Sequence, residues 1–422
     1  MPGSAKTTSA QALREIVMEG ELRSGIAADE ICGVTPSFYV EPANEAELAR
    51  VLAYANQTGM LVAPRGGGTK LSWGTVPQAI DLMISTAKFN QVLEYAPGDM
   101  TVTVGAGVTI AQLGRELSQH RQRLALDTLW PTRATIGGVV ATNDSGALRM
   151  RYGGVRDLII GVTVVLGDGT IAKSGGKVVK NVAGYDLPKL MSGALGTLGI
   201  ITRAVFRLHP LPQESKTLTF SFIDREKAND FMLAIADSIV VPTGLQMRTG
   251  AAGKVEVDVR IDGIAAGIAA QTDTVCKFAG DITPAQLDVD PWQSREELCN
   301  SGASSTVCKL SMLPTQLGAT AEFVREALSE NAEWTLLMYS TGLAWLAVDA
   351  TQCAQIVDFI SRVRAFLAPT GGTTVVLQAP PEVRQNVNVW GTAGSAQPLM
   401  QRIKEQFDPR GILNRGRFIG GI

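Results

Sequence analysis

Three consecutive glycines stand between an arginine and a threonine in the stretch APRGGGTKLSWG, residues 63–74. Because glycine lacks a Cβ, such a segment can adopt left-handed conformations and lets another group approach the main chain closely. Its successive amide N–H groups can form a concave site that binds phosphate without a positive side chain. The spacing is neither that of a Walker loop nor GxGxxG, so it does not indicate an ordinary ATP or Rossmann site. A glycine-rich surface turn is the alternative for the triplet alone.

The elements that precede this loop favour the phosphate site. The stretch PANEAELARVLAYANQTG predicts a helix with Asn44 as N-cap, Glu47 three residues later and Gly59 as the stop. A short apolar strand, MLVAP, then leads into the glycines. Helix, strand and glycine-rich loop is the order in which a phosphate cradle is usually presented.

Composition limits the classes of protein that fit. The 422 residues are 45% hydrophobic and 18% charged, which indicates two or three domains with large cores. A net charge of −2 gives no field that would attract nucleic acid. The five cysteines are widely spaced without a CxxC pair, so they indicate neither a disulfide framework nor an iron–sulfur cluster. No apolar run approaches the roughly 18–20 residues that span a bilayer, so we expect a cytoplasmic, soluble chain.

The chain changes character near residue 212. Up to that point β-branched runs alternate with glycine-rich turns, as in MTVTVGAGVTI, ATIGGVVAT, LIIGVTVVLGDGTI and LGIITRAVFRLHPLP, which predicts strands. One helix is expected to interrupt them at GYDLPKLMSGALG, capped by Asp186 with Pro188 in its first turn. Residues 213–388 follow the order β-α-β-β-α twice, which predicts an antiparallel sheet backed by helices. Residues 389–422 read as a helix and a tail that must pack on something already built.

Two further stretches follow the PRGGGT loop in chain order: PTRATIGGVVATNDSGALRMRYGGVRDLIIGVTVVLGDGT and GGKVVKNVAGYDLPKLMSGALGTLGIITRAVFRLHPLP. Together these stretches resemble the FAD-binding domain of the vanillyl-alcohol oxidase and p-cresol methylhydroxylase (PCMH) superfamily. Within it, KVVKNVAGYDLPKLMSGALGTLGIIT and the ending FDPRGILNRGRFIGGI are similar to the FAD-binding E subunit of bacterial glycolate oxidases. The resemblance is close over residues 36–212 and at the C-terminus. Between them it depends on length and element order.

The resemblance implies an α+β fold with three parts. Residues 1–212 would form a PCMH-type two-part FAD-binding domain, with residues 1–35 as an N-terminal helical extension. Residues 213–388 would form an α/β cap domain with a mainly antiparallel sheet, and residues 389–422 would pack back on the FAD domain.

The same resemblance implies which residues hold FAD. Residues 65–69 would face the diphosphate, residues 135–138 would form a second wall, and residues 199–201 would meet the adenine end. Ala141, Asn143, Ser145 and Gly146 would continue the second wall and offer polar groups to the ribityl chain and flavin ring. Asn414 and Arg417 resemble an NPGR motif that closes over the flavin, with Arg415 in place of proline. The full set is Arg65, Gly66, Gly67, Gly68, Thr69, Thr135, Ile136, Gly137, Gly138, Ala141, Asn143, Ser145, Gly146, Gly199, Ile200, Ile201, Asn414 and Arg417.

The flavin is expected to be bound without a covalent link. Superfamily members that tether flavin often use a histidine at the fifth position of the loop, where this chain has Thr69. The cysteines Cys32, Cys276, Cys299, Cys308 and Cys353 all lie outside the second motif, where a cysteinyl link would belong.

The catalytic residues are not identified by the sequence. Hydride transfer from a 2-hydroxy acid needs a group that accepts the hydroxyl proton, and relatives commonly use histidines, often with a divalent metal. The chain has two histidines, His120 in a predicted helix end and His209 in the turn RLHPLP, and both read as structural. Without an HxH pair, a Cys/His cluster or HExxH, no metal site is expected. A tyrosine or lysine base stays open.

The resemblance implies an FAD-containing subunit of a multi-subunit glycolate oxidase. A homologous flavin subunit would oxidise glycolate or a similar 2-hydroxy acid to the 2-oxo acid, and an iron–sulfur subunit would receive the electrons. Membrane association would come through these partners. Whether the FAD of this chain is a relay or a second active site is open. The alternatives are a free-standing FAD-dependent dehydrogenase or oxidase of a hydroxy acid, alditol or aldonolactone, and an assembly subunit with a vestigial flavin pocket, against which the intact glycines argue.

Overall fold

The computed structural model describes residues 2–176, 186–285, 287–300, 302, 304–329, 331–349 and 352–422. The run KVVKNVAGY at 177–185, part of the glycolate oxidase resemblance, lies outside the described residues, as does the start of the helix predicted at GYDLPKLMSGALG. The chain divides into two compact units. The first contains residues 1–145, 154–211 and 392–422, and the second contains residues 146–153 and 212–391.

The elements up to residue 211 mix strands with short helices. The strands are β1 (Glu21–Ser24), β2 (Phe38–Glu41), β3 (Val62–Arg65), β4 (Leu82–Ser85), β5 (Val92–Ala96), β6 (Thr101–Gly105), β7 (Gln122–Arg123), β8 (Ile159–Val165), β9 (Ile171–Gly175), β10 (Ile200–Arg207) and β11 (His209–Pro210). The helices are α1 (Pro2–Ile16), α2 (Glu45–Thr58), α3 (Ile110–Ser118), α4 (Ile136–Thr142), α5 (Arg149–Tyr152), α6 (Val155–Leu158) and α7 (Leu187–Met191).

The first unit is built on two main sheets. One has the order β1-β2-β4-β3, in which β2 and β3 both run parallel to β4. The other is antiparallel with the order β5-β6-β10-β8-β9. Helix α2 connects β2 to β3, since two parallel strands need a crossover connection. The first sheet therefore delivers the glycine loop directly from the end of β3.

The predicted caps of α2 and α7 are confirmed. The Oδ1 of Asn44 accepts a hydrogen bond from the amide of Glu47 at 3.0 Å, and Gly59 ends α2 in a left-handed conformation with φ of 74°. Glu47 does not have the role of a capping-box residue, because its carboxylate accepts hydrogen bonds from the amides of Met18, Glu19 and Ala43. Asp186 caps α7 through the amide of Lys189.

The prediction of strands with one interrupting helix is wrong in this region. ATIGGVVAT forms α4. The region also contains α3, capped by Thr109 with Leu113 and Leu117 buried on one face, and its end lies close to His120, where the sequence indicated a helix end. The β-branched residues of α4 favoured a strand, but intrinsic propensity is a weak prior that tertiary contacts override. The amides of Ile136 and Gly137 instead donate to the carbonyls of Val108 and Ala106.

The second unit is built on one antiparallel sheet. Its strands are β12 (Glu214–Phe222), β13 (Gly244–Gly250), β14 (Val255–Gly263), β15 (Thr306–Ser311), β16 (Glu333–Tyr339), β17 (Leu343–Asp349) and β18 (Thr373–Gln378), in the order β12-β14-β13-β16-β17-β15-β18. The helices that follow α7 are α8 (Arg225–Ala236), α9 (Ala265–Ala279), α10 (Ser294–Cys299), α11 (Leu317–Ala327), α12 (Cys353–Leu367), α13 (Pro381–Asn386) and α14 (Gln397–Phe407).

The antiparallel, helix-backed sheet confirms the predicted α+β class. Side chains of α8, α9, α11 and α12 pack with those of the strands in one apolar core. The element order is β12-α8-β13-β14-α9 and then, after α10, β15-α11-β16-β17-α12. The last helix, α14, belongs to the first unit, as do the residues after it.

The largest difference from the predicted boundaries concerns one segment. The segment 146–153, which contains α5, is part of the second unit, whereas the sequence placed it in the FAD domain. Met150 from this segment packs against the core of the second unit. Over the described part of the chain, no helix is both long and apolar enough to cross a lipid bilayer.

Candidate functional site

A cavity lies in the first unit, where the loop after β3 meets α4, the start of β10 and the C-terminal segment. Most of the residues predicted to hold a cofactor line it. They are Arg65, Gly66, Gly67, Gly68, Thr69, Thr135, Gly137, Gly138, Ala141, Gly199, Ile200, Ile201, Asn414 and Arg417.

Four predicted residues lie elsewhere. Ile136 is fully buried in the apolar core and is not among the described residues of the cavity lining, and its predicted role in cofactor binding stays a prediction. Asn143 ends α4 in a left-handed conformation with φ of 49°, and its buried Oδ1 has no hydrogen-bond partner among the described residues. Ser145, two residues later, is buried, and Gly146 belongs to the second unit.

Two different reasons explain why the loop consists of glycines. A Cβ on Gly67 would lie 1.8 Å from the carbonyl oxygen of Arg133, and a Cβ on Gly66 would lie 2.2 Å from Oγ1 of Thr135. At these two positions the protein itself fills the space that a side chain would take. Gly68 has φ of 71°, a left-handed conformation that favours glycine. The loop is therefore pressed against residues 133–135, which brings the two walls of the cavity together.

Gly138 is different, because the protein leaves room beside it. A Cβ there would meet one described atom within 4 Å, Oγ1 of Thr135 at 3.5 Å, which is an ordinary contact distance. Gly138 lines the cavity from the middle of α4. The absence of a side chain at this position thus keeps cavity space open rather than relieving a clash within the chain.

The C-terminal segment closes one side of the cavity. The side-chain amide of Asn414 donates to the carbonyl of Leu195 at 2.5 Å, while its buried Oδ1 has no hydrogen-bond partner in the part of the chain that the structure describes. Arg417 donates to the carbonyls of Leu71 at 2.5 Å and Trp73 at 2.6 Å. The guanidinium therefore ties the C-terminus to the continuation of the glycine loop, and the Asn414 carbonyl oxygen is an acceptor at the wall of the cavity.

A buried ion pair positions that C-terminal segment. Nζ of Lys404 lies 2.6 Å from Oδ2 of Asp408 and donates to the carbonyls of Thr197 at 2.7 Å and Leu413 at 2.9 Å. Burial lowers the pKa of Lys404, and the neighbouring Asp408 opposes that effect. The pair joins α14 to the residues that precede β10 and to the residue before Asn414.

Arg65, predicted to serve the cofactor, has a protein partner. Its Nη1 lies 3.0 Å from Oδ1 of Asp29, which also accepts hydrogen bonds from Arg23. The hydrogen bond from Arg23 holds the pKa of Asp29 below its ordinary value, and burial opposes the shift. Arg65 thus fixes the start of the loop to the segment after β1.

Some cavity residues were missed by sequence reasoning: Pro64, Lys70, Leu71, Trp73, Thr86, Thr142, Leu195 and Gly196. Lys70 carried a usable signal, since a lysine directly follows the glycine loop. Nζ of Lys70 lies 3.1 Å from Oδ2 of Asp144, and both side chains are buried. The remaining residues join the cavity through the fold, and no local pattern marks them.

The two histidines lie outside the cavity lining that the structure describes. His120 is exposed after the end of α3, with its ring 5.1 Å from the ring of Tyr95. His209 lies in β11, which pairs with β7 opposite Arg123. Among the described residues no group of three or more His, Cys, Asp or Glu side chains is arranged to hold a metal ion.

The sequence of this region identifies its class. Residues 36–175 match a family described as FAD binding domain. The segment contains the glycine loop and α4, which are two of the walls of the cavity. FAD is therefore the cofactor of this domain.

Three similar proteins are named as a glycolate oxidase subunit or as dehydrogenases of 2-hydroxy acids. The chain is 35% identical over 211 residues to glycolate oxidase subunit GlcD of Bacillus subtilis, covering 50% of this chain and 45% of that protein. It is 35% identical over 224 residues to D-lactate dehydrogenase of Archaeoglobus fulgidus, covering 53% and 49%. D-2-hydroxyglutarate dehydrogenase of Xanthomonas citri pv. viticola is 34% identical over 177 residues, covering 42% and 38%. The chain spans about half the length or less of these relatives.

Solved structures share the fold over nearly the whole chain. Chitooligosaccharide oxidase superposes with a TM-score of 0.70 at 18% identity, covering 96% of this chain and 97% of that one. Xylooligosaccharide oxidase from Myceliophthora thermophila C1 gives a TM-score of 0.71 at 14% identity, covering 95% and 97%. At these identities the likeness establishes the fold and nothing finer.

Proposed function

We propose that this protein binds FAD non-covalently in the cavity of the first unit and takes part in the oxidation of a small 2-hydroxy acid to the 2-oxo acid. One observation carries the proposal. The cavity is bounded by the glycine loop and α4, both within the segment that matches the FAD binding domain family, and the matched relatives include enzymes named for glycolate, D-lactate and D-2-hydroxyglutarate.

The residues at the cavity fit FAD. The loop from Arg65 to Thr69 offers main-chain amides to the diphosphate, a group that glycine-rich nests bind well. Gly138 leaves space at the wall of α4, and the Asn414 carbonyl oxygen is a buried acceptor for a polar group of the cofactor. Bound FAD would supply the acceptor for the hydride that leaves the substrate carbon.

The non-covalent mode is supported by residue types. Thr69 lines the cavity, and a threonine hydroxyl does not replace the imidazole nitrogen of a histidyl link. None of the five cysteines is among the described residues of the cavity wall. Acid precipitation of the purified protein should therefore leave a colourless pellet and release all the FAD to the supernatant. A yellow pellet would contradict this part of the proposal.

At a finer level, we propose that the chain works as an FAD-binding subunit of a multi-subunit glycolate oxidase. Two features support this: the resemblance of its motifs to the E subunit, and the absence of a histidine or metal constellation at the described cavity wall. A positioned general base typically contributes about 10²–10⁴-fold to such a step, so the chain alone should turn over slowly. A homologous flavin subunit would supply the substrate site, and an iron–sulfur subunit would receive the electrons.

The test is anaerobic reduction of the flavin. The isolated chain and the complex from the native source are each mixed with glycolate, D-lactate or D-2-hydroxyglutarate, and flavin absorbance is followed. We expect slow or no bleaching of the isolated chain and rapid bleaching of the complex. Rapid bleaching of the isolated chain would replace the subunit proposal with a free-standing dehydrogenase. A protein that retains no FAD would refute the whole proposal.

A further inference from the structure

The buried ion pair of Lys70 and Asp144 stands at the wall of the cavity. Lys70 lines the cavity with a side chain that is 5% exposed, and its Nζ lies 3.1 Å from Oδ2 of Asp144. The Asp144 side chain is 2% exposed and is not among the described residues of the cavity lining. The described cavity lining therefore includes the cationic residue of the pair, while its carboxylate partner lies outside that lining.

Several groups hold this ammonium in place. The same carboxylate oxygen, Oδ2 of Asp144, accepts from the amide of Leu129 at 2.9 Å. Nζ of Lys70 lies 5.7 Å from the ring centroid of Trp73 and 5.5 Å from that of Trp130, within cation–π range. Burying an ion pair has a large desolvation cost, so the presence of such a pair is weak evidence that it stabilises the fold. A role other than stability is therefore expected for this pair.

The other two cations at the cavity already serve the protein. The Nη1 of Arg65 is engaged by Asp29 and by the carbonyl of Ala28. The guanidinium of Arg417 donates to carbonyls of the loop that continues from Lys70. An ammonium has three N–H donors, and Asp144 lies on one side of it. Lys70 is thus the cation best placed to serve a ligand.

We propose that Lys70 is the cation that the cavity presents to the negative charge of bound FAD, and that Asp144 fixes it there as a positioning residue. The inference rests on the proposed function, because it requires FAD in this cavity. The negative charge has two sources: the diphosphate, and the flavin ring once electrons have been added to it. Charge near the ring is one of the means by which a protein sets the potential of a flavin.

The first experiment measures affinity. Apo-protein is titrated with FAD and with riboflavin, which has the ring but no diphosphate, using wild type, Lys70→Arg and the double variant Lys70→Met/Asp144→Asn. The double variant removes both charges with side chains of similar size, so it avoids leaving a lone buried charge. We expect its FAD dissociation constant to rise at least tenfold and that of Lys70→Arg to rise less. Unchanged riboflavin binding assigns the contact to the diphosphate.

The second experiment measures the flavin midpoint potential in the single variants. Lys70→Met leaves the carboxylate of Asp144 alone and should lower the potential, whereas Asp144→Asn leaves the ammonium of Lys70 alone and should raise it. Each tenfold change in the two-electron equilibrium is about 30 mV. A purely structural pair would shift both variants in the same direction, since each would disturb the same wall.

Different outcomes test the proposed function and the inferred role of Lys70. A wild-type protein that binds no FAD refutes the proposed function. If wild type binds FAD, the Lys70 inference is overturned when the double variant keeps its FAD dissociation constant within twofold and the single variants show no opposite shifts of potential. Either a selective loss of FAD over riboflavin or opposite shifts supports it.

Discussion

Substitutions at Gly138 and Gly67 distinguish space that the cofactor would fill from space that the protein itself fills. A Cβ at Gly138 meets a single described atom at 3.5 Å, whereas a Cβ at Gly67 would lie 1.8 Å from the carbonyl oxygen of Arg133. Gly138 also lies inside α4, and glycine within a helix costs about 0.5–1 kcal/mol relative to alanine. Gly138→Ala should therefore stabilise the apo-protein, while Gly67→Ala should destabilise it.

The magnitudes follow from these contacts. Gly138→Ala should raise the free energy of unfolding of the apo-protein by about 0.5–1 kcal/mol, a rise in Tm of about 1–4 °C for a unit of this size. Gly67→Ala should lower it by about 1–3 kcal/mol through overpacking. Gly138→Leu, which keeps good helix propensity, should weaken FAD binding at least tenfold, about 1.4 kcal/mol, because its side chain fills cavity space.

The assay has two parts for each variant: thermal unfolding of the apo-protein and titration with FAD followed by flavin fluorescence. At Gly138 we expect opposite effects: Gly138→Ala should raise the free energy of unfolding of the apo-protein, and Gly138→Leu should weaken FAD binding. It would be refuted if Gly138→Leu bound FAD as wild type does, since the cofactor would then lie away from α4. A Gly138→Ala apo-protein as unstable as Gly67→Ala would show that the space beside Gly138 is needed by the chain itself.

Three further predictions concern buried charges and thiols. Burial raises the pKa of Glu47, but hydrogen bonds from the amides of Glu19, Ala43 and Met18 outweigh it and leave the pKa below its ordinary value. The stability that Glu47 supplies is therefore present above about pH 4.3 and is lost as the pH falls through its lower folded-state pKa. Glu47→Gln should lower the free energy of unfolding at neutral pH by about 1–3 kcal/mol, as urea unfolding across pH would show. An unchanged acid limb would contradict this. Lys404→Met leaves Asp408 without its cation and should cost about 3–5 kcal/mol in the same assay, with a loss below 1 kcal/mol counting against the role of the pair. Burial raises the pKa of the Cys308 thiol to about 12, so Cys308 should resist alkylation in the native protein while the exposed Cys32 reacts, as peptide mass analysis would show; early labelling of Cys308 would contradict its burial.

The sequence was most informative where a local rule applied. The Asn44 and Gly59 caps of α2 and the Asp186 cap of α7 follow from residue type and position alone, and the structure confirms them. The glycine loop was found in the same way, because three glycines are rare enough to stand out. The helix-backed antiparallel sheet after residue 212 followed from the order of strand and helix patterns, while the α+β class was implied by the family resemblance.

Other features depended on contacts between distant residues. α4 has the β-branched composition of a strand, and its helical form is fixed by amides that donate to Val108 and Ala106, about 30 residues earlier in the chain. The bare backbone at Gly67 is explained by the carbonyl of Arg133, which no local pattern reveals. The partner of Lys70, Asp144, follows it by more than seventy residues, so the ion pair could not be inferred from spacing.

The central claim is that this chain holds FAD for the oxidation of a 2-hydroxy acid, and the most direct test is a product balance without oxygen. The complex from the native source is mixed with excess glycolate, D-lactate or D-2-hydroxyglutarate, and 2-oxo acid formed is compared with electrons taken up by the protein. The account predicts flavin bleaching with one 2-oxo acid for every two electrons stored, and loss of the FAD of this chain in the Gly138→Leu complex. Absence of bleaching and of 2-oxo acid with all three substrates, from a complex that retains its FAD, would contradict it.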